Sequence, residues 1–168
     1  MKNIKTILVL LIPAMLLFAG CPSGVAFSAA DNHAEKIDTK LIGDWATDDY
    51  SADFKKMKIT KKDNYNFTVN VGEVSDDYEE EGTGYTVQIT TISGVKFLSA
   101  KTNSKKSTTN YIYHYEFEGN NLVTYSIAFT AETKKSITST ATLREEIEKK
   151  VKDKNYKRPS NKTIWKKK

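Results

Sequence analysis

A chain of 168 residues with 26 Lys and Arg against 21 Asp and Glu has room for one ordinary domain with tails, and for a core that needs no staples. A single cysteine excludes an internal disulfide framework. The chain holds no CxxC, HExxH or glycine-rich phosphate loop, so structural zinc and nucleotide binding drop out, and no cofactor is expected.

The first twenty residues predict a secretory leader. Lys2 and Lys5 give a positive start, and Ile7 to Phe18 is an apolar run, short of the roughly 18 residues that a spanning helix needs. The run ends in Phe18-Ala19-Gly20-Cys21. Small residues ahead of a cysteine resemble the lipobox of bacterial lipoproteins, with Phe18 where Leu is commonest. The resemblance implies removal of residues 1–20 and attachment to Cys21 of a diacylglycerol, usually with a third acyl chain, such as palmitate, on its amine. It also implies export and lipid anchoring to the bacterial cell envelope, facing the periplasm from the outer membrane in a Gram-negative cell. Two or more acyl chains anchor firmly where one does not. Cys21 is the expected lipidation site and the membrane the expected partner.

Residues 21–40 are small and polar with no sustained period, which predicts a flexible tether, and the folded domain is expected over 41–168. Leu41-Ile42-Gly43-Asp44-Trp45 starts an extended stretch. Its Gly-x-Trp resembles the first strand of lipocalin and fatty-acid-binding (calycin) barrels, in which the tryptophan closes one end. Alternation follows: Met57 and Ile59; Tyr65, Phe67, Val69 and Val71; Tyr85, Val87 and Ile89; then Tyr111, Tyr113, Tyr115 and Phe117. Period two over so many residues predicts half-buried strands. Val95 to Ala100 and Leu122 to Phe129 are further apolar runs. Lys62-Asp63-Asn64, Ser93-Gly94 and Glu118 to Asn121 are turn-forming links too short for parallel crossovers, so neighbouring strands should pair antiparallel. Ser75 to Gly84 and Lys101 to Asn110 are longer loops.

At Thr142 the period changes. Thr142-Leu143-Arg144-Glu145 has capping-box spacing, Leu143, Ile147 and Val151 recur four apart, and the acid-first pairs Glu145–Lys149, Glu146–Lys150 and Glu148–Lys152 support a helix over about 142–155. From Arg144 onward eleven Lys and Arg face four Asp and Glu, so the basic character belongs to the tail, which suits contact with anionic lipid heads or plain solvation. Lys162 to Trp165 reads either as a closing strand or as a docked tail.

The expected architecture is mainly β: an antiparallel up-and-down barrel or strongly curved meander, lipocalin-like, with one C-terminal helix. Tyr111, Tyr113, Tyr115 and Phe117 share a strand face and, with Trp45, either line a ligand cavity or pack a filled core. His114 lies on the opposite face beside Glu116, as a structural histidine before a general base. No nucleophile–base pair is evident, so no enzyme is expected. The carboxylates of Glu73, Asp76, Asp77, Glu79, Glu80 and Glu81 lack the ligand spacing of a calcium loop and read as solvated. Nucleic acid is a poor partner for an exported chain. The leading function is a non-enzymatic envelope module holding a small apolar ligand, and the alternative is a structural or inhibitory protein-interaction domain with a filled core.

Overall fold

The computed structural model describes residues 24–72, 83–103, 108–154 and 156–168; the leader, Cys21 and the acidic stretch 73–81 lie outside the described residues. Eight strands follow one another round a closed barrel: β1 (Gly43–Ala46), β2 (Lys56–Lys61), β3 (Asn66–Gly72), β4 (Thr83–Ile92), β5 (Val95–Thr102), β6 (Asn110–Glu118), β7 (Asn121–Ser126) and β8 (Lys162–Lys167). Every neighbouring pair is antiparallel. The last strand settles the choice left open at Trp165, because β8 pairs with β7 from Leu122↔Trp165 to Tyr125↔Lys162 and with β1 at Trp45↔Lys167 and Ala46↔Lys166.

Turn chemistry sets the register. Ser93 and Gly94, with φ of 50° and 77°, link the paired residues Ile92 and Val95 in the two-residue loop whose twist matches the strands. Between β2 and β3, Asp63 Oδ1 accepts from the Tyr65 and Asn66 amides at 2.7 and 2.8 Å, an Asx turn.

Apolar residues form two clusters, one on each side of the wall. Inside lie Leu41, Trp45, Ile59, Phe67, Ile89 and Leu122 among others. Outside, Phe97, Ile112, Val123 and Tyr125 meet Leu143 and Ile147 of the helix α2 (Thr140–Asp153), which follows a short α1 (Ala131–Ser136). The nearly continuous apolar run at β7 is thereby explained: Leu122 faces in while Val123 faces an outer layer that is itself covered.

Two expectations need correction. The helix starts at Thr140 rather than Thr142, because Ser139 is the N-cap: its Oγ accepts from the Thr142 amide at 3.1 Å, and Thr142 Oγ1 accepts from the Ser139 amide at 3.0 Å. And residues 24–40 are a strap laid on the barrel, not a tether. Val25 exchanges two 2.8 Å backbone bonds with Asn110, and the Glu35 amide donates to Ile89 O at 2.9 Å. Both fall where the stagger leaves an edge bare, since the β6–β7 ladder starts only at Tyr113↔Ser126 and the β3–β4 ladder ends at Asn66↔Gln88. Small residues made the strap look unstructured, yet Ala29 and Ala30 are fully buried because their size lets the strap approach the wall. Arg144 locks the layers together, donating to Ala29 O and Thr90 Oγ1 at 2.8 Å and to Thr91 O at 3.0 Å.

Ile147 has no exposed surface at the centre of the helix-to-wall contact. Ile147→Asp places an unpaired carboxylate there, and thermal melting should fall by about 10 °C, corresponding to about 3 kcal/mol or more. An unchanged melting curve would show that α2 does not stabilise the barrel.

Candidate ligand cavity

One end of the barrel is closed by a turn and a group of aromatic side chains, and among the described residues the cavity opens at the other. At the closed end the turn Thr39–Leu41, capped by Asp38, drives Leu41 under the barrel, and Trp45 Nε1 donates to Leu41 O at 2.8 Å. Phe117 lies against Trp45 at a ring separation of 6.3 Å and edge-on to Tyr115 at 6.3 Å. This aromatic floor fills that half of the barrel.

Above it is a cavity of about 310 Å³, at the small end of the range typical of ligand sites. Its walls are Met57 and Ile59 of β2, Val69 and Val71 of β3, and Leu98 and Ala100 of β5, with Trp165 from β8. The mouth lies between the β1–β2 loop, through Ser51 to Phe54, and the start of β8, through Ser160 to Lys162. Room exists partly because Ala100 sits across from Val87 in the ladder, where a larger inward side chain would fill the space.

Of the aromatic ladder, Tyr113 lines this space. Tyr111 packs edge-on against Tyr85 at 6.1 Å nearer the mouth, while Trp45, Tyr115 and Phe117 belong to the floor. One inward face of β6 therefore runs from rim to floor, and only its middle meets open volume. Asp53, Phe54, Leu98, Ala100 and Trp165 line the cavity without having been singled out from the sequence. Parity pointed to Leu98 and Ala100, and Phe54 is the one phenylalanine in the polar stretch after Trp45.

The interior is electrically quiet. Burial pushes the Tyr113 hydroxyl well above the usual tyrosine range, with smaller help from Tyr85, Asp53 and Tyr111, so it stays neutral. Trp165 Nε1 donates to Thr124 Oγ1 at 3.0 Å, satisfying both groups at the wall. Lys162 turns outward, its Nζ donating to Glu118 Oε1 at 2.9 Å, and Asp53 is an exposed carboxylate at the rim. The arrangement suits holding an apolar body with a few hydroxyls beside it. Among the described residues no group of His, Cys, Asp and Glu gathers as metal ligands, and no helix is long and apolar enough to cross a membrane.

His114 sits on the outer side, 4% exposed, stacked on Tyr125 at 5.3 Å and edge-on to Tyr156 at 5.7 Å. Burial lowers its pKa from 6.5 to about 4, Lys157 adds to the lowering, and Glu116 opposes it. The ring is therefore neutral at pH 7, and the 3.6 Å approach of Nε2 to Glu116 Oε2 is not an ion pair. Glu116 instead takes Lys157 Nζ at 2.8 Å and the Tyr125 hydroxyl at 3.2 Å.

The folded chain refuses a proton that the unfolded chain accepts at His114. Its contribution is complete above about pH 6.5 and drains as the pH falls towards 4, a loss of about 3 kcal/mol. Urea unfolding at pH 7.5 and pH 4.5 should show this loss in the parent and a much smaller one in His114→Phe. Equal losses would show that His114 is not the group responsible.

No protein family, curated protein or solved structure matches the chain, so its function rests on the barrel, its cavity and its surface.

Proposed function

We propose that the chain is a membrane-anchored bacterial lipoprotein whose barrel binds a small apolar molecule without chemical change. The observation that carries the binding reading is the open cavity of about 310 Å³ with aliphatic and aromatic walls. A domain selected only for stability gains by filling such a space, because each missing contact in a core costs dispersion and burial energy. Here the floor half is filled and the mouth half is not. The neutral hydroxyl of Tyr113 gives an apolar guest one polar anchor point inside. The anchoring reading is supported by the leader and the Ala19-Gly20-Cys21 junction, and its corollary is a location at the cell envelope.

An environment-sensitive apolar dye should bind the parent saturably at one site. Ala100→Phe, which projects a ring into the cavity, should abolish that binding while circular dichroism still reports a folded barrel. Absence of saturable binding by a well-folded parent would overturn the binding reading and favour a filled-core interaction domain. Separately, labelled palmitate should enter the parent and not Cys21→Ser; equal incorporation would remove the anchor.

A further inference from the structure

The strap begins at the open end of the barrel. Val25 is buried against Asn110, the first residue of β6, and Gly24 is pressed so closely on Thr109 and Tyr111 that an added Cβ would fall 2.0 Å from the Thr109 methyl. Tyr111 in turn packs on Tyr85, which lines the cavity. Only Pro22 and Ser23 separate Gly24 from Cys21, a path of at most about 11 Å when fully extended.

Resting on the lipoprotein reading above, we propose that the acylated protein stands with the mouth of its cavity towards the lipid surface that anchors it, so that the cavity exchanges its guest directly with that membrane. A link this short cannot carry the rim far from the headgroups, whereas the closed end lies a barrel's length away. The described part of the rim also carries a side chain suited to such an interface. Tyr50, in the same β1–β2 loop that borders the mouth, is 98% exposed, and an exposed tyrosine with an apolar ring and a polar tip suits the headgroup level. Lys55 Nζ lies 6.0 Å from the centre of that ring while donating to the Asp49 and Ala52 carbonyls at 2.7 and 3.1 Å, so the loop is braced rather than loose. The rival orientation would use the C-terminal lysines. β8, however, runs away from the mouth, and Lys168 finishes against Asp44 at the start of β1, at the closed end.

The test places a fluorophore on a new cysteine at either end of the acylated full-length protein, Ser51→Cys at the rim and Asn120→Cys at the closed-end turn between β6 and β7. The Cys21 thiol is blocked by the thioether to its diacylglycerol. The protein is incorporated into phosphatidylethanolamine and phosphatidylglycerol vesicles doped with headgroup spin-labelled lipid. Quenching should be at least threefold stronger at residue 51 than at residue 120, and a second rim position, Asp49→Cys, should repeat the result if Ser51→Cys folds poorly. Equal quenching, or stronger quenching at residue 120, overturns the orientation while leaving the anchor intact. A parent that leaves the vesicles as readily as Cys21→Ser overturns the anchor and the orientation together.

Discussion

Barrel closure is the constraint on which the rest of this protein depends. A meander of eight strands has two bare edges, and here they are joined by the last six residues of regular structure, with only two residue pairs between β8 and β1. To bring β8 back beside β1, the chain must leave the barrel after Ser126 and return at Lys162, and the helices α1 and α2 occupy that excursion. The outer apolar cluster follows from it. Once α2 lies on the wall, Phe97, Ile112, Val123 and Tyr125 have something to pack against, and the strap completes the layer with Val25 and Ala29.

Closure also separates two tasks. The floor, built on Leu41, Trp45, Tyr115 and Phe117, excludes water and fixes the shape of the barrel. The upper half keeps space that the floor makes affordable. The stability not gained from a filled upper half is offset on the outside, where α2, the strap and the Arg144 hydrogen bonds bind the layers into one unit. A cavity is tolerated inside because a second core exists outside.

The strands were legible because each exposes one face or the other at period two, and a residue such as Val69 or Ile89 announces its side by its neighbours. The Gly-x-Trp pattern likewise indicated a closed end at Trp45. The strap was not legible. Ala29 and Ala30 carry no apolar period, and their burial depends on a bare edge of β6 and a guanidinium from α2, both remote in sequence. The helix start was displaced by two residues because Ser139 and Thr142 both have capping chemistry and form one reciprocal pair. For the cavity, period two marked one face of β6 but not the depth of the space before it. That Tyr113 meets open volume while Tyr115 meets the floor depends on Leu41 and Phe117, and on Ala100 leaving room above.

Two apolar clusters on opposite sides of one wall provide a built-in control for the central claim. In a methyl NMR titration of the full-length chain with decan-1-ol, shifts should saturate at one equivalent and be confined to the inner methyls of Met57, Ile59, Val69, Val71 and Leu98. The outer methyls of Ile127, Ile137 and Ile147 should stay in place. Shifts confined to the outer set, or none at either set, would contradict a barrel that holds its guest inside.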